Sequence, residues 1–331
     1  MGAPRPVVTI VVPMLNERGY IDECLAGFEA QTYPSDLLDV VVVDGGSTDG
    51  SREGVDRLAA ERPWLRVVEN PDRRASSAFN RGVEAAKGDV VCLFSAHGVP
   101  DEQYVERSVD VLTETGAAGV GGRYLHIGKD PRSNAVGLAM VSPFGMASPH
   151  RFAHRRRDVD TISHPAYRRA AMLDIGPFDE TLERNSDYEF NWRMRARGHR
   201  LVFDPTISSI YRPRPSLRAL ARQFWWYGRW KARVVERHRD SLRLRHVVPP
   251  GFVIALALAP LLLPSRRGRR AIATGVGAYA TLVACATAVA RPVEHRASVA
   301  ITAACFPVMH VAWGAGFATS VVEDIIRGSQ R

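Results

Sequence analysis

Two carboxylates, Asp44 and Asp49, follow the apolar run Val40–Val43 in the stretch VVVDGGSTDG and are separated by Gly45, Gly46, Ser47 and Thr48. An apolar run of this length closed by glycine and serine reads as a fully buried strand. Acids just past its carboxyl end fall where open α/β sheets bind nucleotides. The competing role for Asp44 is local, as a turn or capping acid before Ser47. A second run, Val7–Val12, ends at Pro13, which cannot donate to a strand ladder, and is followed by Asn16 and Glu17. Two strands therefore deliver acid or amide groups to one crevice.

The elements that must position these groups alternate. Strand-like runs near Val7, Leu38, Leu65 and Val90 are separated by helical patterns at 19–30, 51–61, 75–86 and 101–115. In the last of these, Val105, Val109 and Leu112 recur at i, i+4 and i+7, as on a helix packed against a sheet. Such alternation predicts a doubly wound, mostly parallel α/β sheet. Residues 123–170 carry Pro131, Pro143, Pro149 and Pro165 and read as loops and short elements facing a substrate. The stretch 187–198 reads as a helix capped by Gly198.

The 331 residues allow one domain of about 200–250 residues and an appendage. Charge locates the appendage. Between Tyr211 and His246 there are eleven Lys or Arg and two acids, a surplus of nine that equals the net +9 of the whole chain. The basic balance thus belongs to 211–246, and the rest is neutral. Around 215–238, Leu217, Leu220, Phe224 and Tyr227 share one helical face. Arg218, Arg222, Arg229, Arg233 and Arg237 share another, and Trp225, Trp226 and Trp230 suit a headgroup layer, the pattern of an interfacial amphipathic helix.

Three apolar stretches follow, at 247–264, 271–290 and 297–322. The last two match the roughly 20 residues that cross a bilayer. The first is interrupted by Pro249, Pro250, Pro260 and Pro264, and crossing there would place Arg266, Arg267, Arg269 and Arg270 outside, against the positive-inside tendency. The expected organisation is a catalytic domain at 1–210, an interfacial region at 211–246, a re-entrant or interfacial segment at 247–264, two spans within 271–322 and a cytosolic tail at 323–331. With a strand rather than a signal peptide near the start, the catalytic part is expected on the cytosolic side of the inner membrane.

Other classes fare poorly. The four cysteines, Cys24, Cys92, Cys285 and Cys305, form neither a disulfide framework nor a zinc pattern. No Walker loop or complete G-x-G-x-x-G follows the first strand. The basic residues crowd beside membrane-like stretches rather than lining a soluble face, which argues against a nucleic-acid partner.

Six segments in order resemble the GT-A glycosyltransferases of family 2, in particular the membrane-associated type that builds bacterial polysaccharides on lipid carriers, as in succinoglycan synthesis. They are VVPMLNE (11–17), VVVDGGSTDG (41–50), NPDRRASSAFNRGVEAAKGD (70–89), GPFDE (176–180), NSDYEFNWRMRARG (185–198) and QFWWYGRW (223–230). The resemblance covers about residues 6–235. It implies a nucleotide-diphosphate sugar donor, by default UDP-linked, and a lipid-linked or growing polysaccharide acceptor. Asp44 would accept from the uracil N3–H, Glu17 would hold the ribose, and Pro13 would line the base. Arg74, Asn80 and Ser95 would lie along the nucleotide, although the first two also suit a surface arginine and a helix-interior amide.

The family's Asp-x-Asp, which holds Mn²⁺ or Mg²⁺ against the diphosphate, is replaced by Ser95 and His97. A neutral His97 can ligate a divalent ion, Mn²⁺ better than Mg²⁺, or can simply bond locally. His150, His154 and His164 are further candidates for a ligand or for the diphosphate charge. Asp187 falls on the second residue of the family's Glu-Asp pair, with Ser186 in place of the first. It is the expected general base of an inverting transfer, and Glu189 is expected to orient Arg193 or an acceptor hydroxyl. Gln223, Arg229 and Trp230 resemble a Gln-x-x-Arg-Trp motif of processive synthases, with five intervening residues in place of two, and would face acceptor and diphosphate. Ser95 and Ser186, at usually acidic positions, favour the alternative of a catalytically decayed scaffold on the same fold.

Overall fold

The computed structural model describes residues 4–145, 153–213, 216–290 and 297–328. Those up to Leu125 and from 153 to Tyr211 form one compact unit, and the others form a second. His150 lies outside the described residues.

In the first unit, β1 (Val8–Met14), β2 (Leu38–Asp44), β3 (Leu65–Glu69) and β4 (Val90–Leu93) are parallel, in the order β3-β2-β1-β4. Between them run α1 (Ile21–Glu29), α2 (Ser51–Glu61) and α3 (Ala75–Ala85). The sheet continues from β4 through antiparallel neighbours, so it is mixed rather than mostly parallel. The remaining elements are β5 (Gly98–Pro100), α4 (Tyr104–Thr115), β6 (Gly119–His126), β7 (Arg157–Asp158), β8 (Ala166–Arg168), α6 (Arg169–Ile175), α7 (Ser186–Ala196) and β9 (Leu201–Tyr211), with α5 (Pro131–Val141) between β6 and β7.

Period-two alternation divides the core. Val8, Ile10, Val12, Val40 and Val42 pack with α1, α2 and α4 through residues such as Phe28, Val55 and Leu112. Val11, Val41, Val43 and Val91 face the other way, onto Ala78 of α3, Met172 of α6 and Phe190 and Met194 of α7. All four residues of Val40–Val43 are 0 % exposed. Burying each such side chain contributes about 1.5 kcal/mol or more. That is why the segment carries no polar residue until its end.

At the opposite end of these strands, Asp39 accepts from Thr9 Oγ1 (2.9 Å) and from Arg66 Nε and Nη2 (2.7 and 2.9 Å), and Arg66 also donates to Ala85 O (2.6 Å). Burial pushes the Asp39 carboxyl up, but the hydrogen bonds from Arg66 and Thr9 outweigh it and leave it below its ordinary range. A depressed carboxyl stabilises the fold above the unfolded-state pKa of roughly 4 and loses that contribution as pH falls through the folded value. Asp39→Asn is therefore expected to cost about 1.5–3 kcal/mol at neutral pH. In urea denaturation, its deficit against the native chain should vanish at acid pH.

In the second unit, α5 packs with α8 (Leu217–Arg237) and α11 (Val299–Gly328) through Val136, Met140, Leu220, Phe224, Phe306 and Met309. The helix α5 falls where loops and short elements were expected. Pro131 stands at its first position, and Asp130 and Ser133 form a reciprocal capping box, so the proline starts the helix. Two further helices, α9 (Leu244–Leu258) and α10 (Arg266–Val289), complete the unit. Pro249 and Pro250 lie inside α9 without ending it. By length and composition three segments could cross a membrane: Leu244–Leu262, Arg266–Val289 and Val299–Ile326.

Candidate active site

The chain leaves β1 to one side for β2 and later returns on the other side for β4, so the crevice beyond β1 and β4 is the topological switch point of the parallel strands. Glu17, past β1, and His97, past β4, meet there with His97 Nδ1 3.3 Å from Glu17 Oε1. The edge of the His97 ring approaches Tyr20 (6.2 Å between centroids) and Tyr211 (5.1 Å).

The loops after β1 and β2 are laced together. Asn16, held at φ 56°, donates its N–H to Ser47 Oγ (2.9 Å), and its Oδ1 accepts from Thr48 N–H (2.8 Å). Asp49 accepts from Arg18 N–H (2.9 Å) and from the Ser51 N–H and hydroxyl at the start of α2. The Ser51 hydroxyl, aided by these backbone donors, holds the Asp49 carboxyl below its ordinary range. Asparagine suits a positive φ because its short amide bonds locally, and here that geometry turns the side chain onto the neighbouring loop.

Asp44 is 3 % exposed. Its carboxylate accepts from Gly46 N–H (3.1 Å), Ser47 N–H (3.2 Å) and Ser47 Oγ (2.6 Å), with Arg52 Nη1 at 3.6 Å. The carboxylate thus shapes its own turn. Gly46, at φ 77°, lets that turn close, and a side chain there would face the Arg73 guanidinium. Pro13 is partly buried in β1, in register with Val43.

From the Asp44 turn a hydrogen-bonded path leads to the second carboxylate region. Asn70 N–H donates to Asp44 O (2.7 Å), Asn70 Nδ2 to Arg74 O (2.9 Å), and Arg74 Nη1 to Glu180 O (2.9 Å). Asn80 clamps the same GPFDE loop from both sides. Its Oδ1 accepts from Phe178 N–H (2.7 Å), and its Nδ2 donates to Phe178 O (3.0 Å) and Glu180 Oε1 (2.7 Å). Arg74 and Asn80 therefore engage the loop that leads into α7. Asn80→Ala removes both backbone bonds and is expected to cost about 1–3 kcal/mol, read as a lower denaturation midpoint.

Asp187 is exposed on the first turn of α7, where the helix dipole favours a negative charge. It lies near Tyr167, whose phenol is pushed well above its usual value by burial first and by the Asp187 charge second. Glu189 points inward, 3 % exposed, and accepts from Arg193 Nε (2.8 Å). Arg193 in turn holds the carbonyls of Ile175 and Pro177 (3.0 and 2.8 Å).

Ser95 donates its N–H to His164 Nε2 (3.3 Å), and His164 Nδ1 lies 2.8 Å from Ser209 Oγ. With Nε2 accepting, Nδ1 carries the proton and donates to Ser209. His164 is stacked on Phe94 (3.8 Å between centroids), so it supports the crevice floor rather than offering a nitrogen to a ligand. His154 is exposed on a loop. Among the described residues no three His, Cys, Asp or Glu side chains converge as a metal group. Glu17 and His97 form a two-donor set. That set fits an ion arriving with a diphosphate and does not make a resident cage.

Gln223, Arg229 and Trp230 stand on α8 in the second unit. Gln223 Nε2 donates to Tyr227 Oη (2.8 Å), and Arg229 makes a bidentate pair with Glu323 (2.8 and 2.9 Å). Sequence reading did not single out Asn16 as the residue that laces two loops, nor Tyr20 and Tyr211 as neighbours of His97. Asn in a turn after a strand was the available signal for the first. Tyr211 lies 114 residues from His97 (211 − 97 = 114) and has no local signal.

This sheet, with its crevice at the switch point, is the GT-A type of nucleotide-diphospho-sugar transferase fold. The chain belongs to glycosyl transferase family 2, whose family model matches residues 9–180, and it is a glycosyltransferase. It is 33% identical over 318 residues to the succinoglycan biosynthesis protein ExoA of Rhizobium meliloti (strain 1021), covering 93% of both chains. It is 27% identical over 244 residues to glycosyltransferase AglE of Haloferax volcanii, covering 73% of this chain and 79% of that one. Among solved structures, the mannosyltransferase PcManGT from Pyrobaculum calidifontis, in complex with GDP-Man and Mn²⁺, aligns with a TM-score of 0.65 at 20% identity, over 96% of this chain and 88% of that one. TarS 1–349 of S. aureus, in complex with UDP, gives 0.51 at 14% identity, over 93% and 90%.

Proposed function

We propose that the protein is an inverting glycosyltransferase that moves a sugar from a nucleotide-diphosphate donor, UDP-linked by default, to a lipid-linked or growing polysaccharide acceptor at the cytosolic membrane face. The carrying observation is the meeting of Glu17 and His97 at the switch point, beside two loops already tied to each other. The polysaccharide and membrane parts draw on the likeness to ExoA and on the three apolar helices.

In this reading the nucleotide lies in the crevice over Pro13 and Ser95, with the ribose against Glu17 and the base beside the Asp44 turn. Asp44 acts through the shape of that turn as well as through its oxygens. Arg74 and Asn80 hold the 176–180 loop at a fixed distance from the donor. Asp187, on the first turn of α7, accepts the proton of the attacking acceptor hydroxyl while the nucleoside diphosphate departs from the opposite face. His97, beside Glu17, would hold a divalent ion such as the Mn²⁺ that PcManGT carries with GDP-Man, and that ion would supply charge neutralisation for the leaving group. Gln223, Arg229 and Trp230 are assigned to the acceptor side.

Membranes containing the protein, given a panel of radiolabelled nucleotide sugars with Mn²⁺, Mg²⁺ or EDTA, are expected to incorporate sugar from one donor. No incorporation from any donor would favour the decayed scaffold, to which Ser95 and Ser186 point.

A further inference from the structure

Two histidines approach the turn after β4, and they are used differently. His164 spends both ring nitrogens, Nε2 on the Ser95 N–H and Nδ1 on Ser209 Oγ. His97 spends one. Its Nδ1 lies 3.3 Å from Glu17 Oε1, and its Nε2 has no hydrogen-bond partner among the described residues. A carboxylate oxygen can only accept, so the neutral ring carries its proton on Nδ1 and Nε2 keeps a bare lone pair.

The backbone beneath that ring is fixed as well. Gly98 N–H donates to Ser95 O (2.8 Å), which closes the turn from Ser95 to Gly98. A β-carbon at Gly98 would run into the rings of His164 and Phe94, at 2.6 and 2.7 Å. Edge contacts with Tyr20 and Tyr211 limit how far the His97 ring can tilt. The side chains of His97 and Glu17 are still 24% and 21% exposed, so a ligand can reach the pair.

We infer that Glu17 is a positioning residue: it holds His97 in the Nδ1–H tautomer, so that Nε2 is the nitrogen offered to a divalent ion bound with the donor diphosphate. A ligating histidine commonly donates its other ring N–H to a carboxylate, which fixes the tautomer and makes the ligating nitrogen more basic. Such support matters here because Ser95, two residues earlier, offers a neutral hydroxyl and no charge. Glu17 brings negative charge to the site through the ring rather than through a bond to the ion. Its second carboxylate oxygen is left for the ribose. The inference rests on the nucleotide part of the proposed function and is independent of Asp187, the acceptor and the membrane.

Mn²⁺ itself provides the readout. The full chain in detergent, with its histidines carrying ¹⁵N at Nε2, would be loaded with Mn²⁺ and saturating UDP, or GDP in a parallel arm, and followed by pulsed EPR. The expected spectrum shows ¹⁵N coupling from one directly bound imidazole, and His97→Ala abolishes it. Glu17→Ala is expected to weaken Mn²⁺ binding to the nucleotide complex by about 10–100-fold. Glu17→Gln, whose amide oxygen still accepts from Nδ1–H but carries no charge, should fall between alanine and native. Saturating nucleotide keeps any lost ribose contact out of the measured Mn²⁺ affinity. Coupling to ¹⁴N in place of ¹⁵N would overturn the inference, and so would the lack of any nitrogen coupling in the native chain. Mn²⁺ affinity within threefold of native in Glu17→Ala would do the same. Sugar incorporation with Mn²⁺ affinity indifferent to Glu17 would sink only this inference. The expected Mn²⁺ behaviour without incorporation from any donor would sink only the enzymatic reading.

Discussion

Asp187→Asn is expected to reduce sugar incorporation by about 10³-fold, within the range contributed by a positioned general base, while donor binding stays near the native level. Asn preserves size and removes basicity. The exposed first-turn position on α7, free of the core that Phe190 and Met194 occupy, means the fold should survive the change. Donor KM and thermal midpoint would be measured alongside kcat. A loss confined to kcat identifies proton transfer, whereas an equal loss in donor binding would assign Asp187 to the nucleotide. Activity within threefold of native would remove it from the mechanism. Glu189→Gln is the companion variant. Glu189 is buried against Arg193, so its loss should appear first in stability.

The largest expected loss of stability comes from a single methyl group. Gly122→Ala would place a β-carbon onto the carbonyl of Ile207, on the neighbouring strand β9. Both sides of that contact are backbone, so no rotamer change can relieve it, and the cost is expected to reach about 3 kcal/mol, or roughly a 10 °C fall in Tm. Gly54→Ala is the matched control. A β-carbon there meets nothing within 4 Å, and alanine in the interior of α2 should stabilise by about 0.5–1 kcal/mol. If Gly122→Ala melts with the native protein, the close approach of β6 and β9 is not a feature of the fold in solution.

The parallel half of the sheet was legible because its strands carry apolar runs and its helices keep a 3.6-residue period. The run Val40–Val43 and the face of Val105, Val109 and Leu112 had no other reading. The antiparallel half was not. Ala166–Arg168 and Arg157–Asp158 are too short to show a period, and they join the sheet through partners far away in sequence. Pro131 was misleading for a physical reason, since the residue that breaks a helix interior also starts one. For the site, strand-end chemistry pointed to Glu17 and Asp44, and His97 came only from the resemblance to the family's Asp-x-Asp. Side-chain direction was legible only where it is local: the competing role of Asp44 as a turn acid before Ser47 is what the carboxylate does, whereas nothing in the sequence reveals that Asn80 reaches 98 residues along the chain to Phe178.

On the proposed reading, the mutual hold of Asn16 on Ser47 and Thr48, and of Asp49 on Arg18, bears on how the donor is received. The conformational freedom of this rim is surrendered when the chain folds, so little ordering is left for the moment of association. Donor uptake should then show fast, single-phase kinetics with a small entropic penalty. Asn16→Gly, by loosening the rim, would slow dissociation-linked reclosure and shift that penalty onto every catalytic cycle.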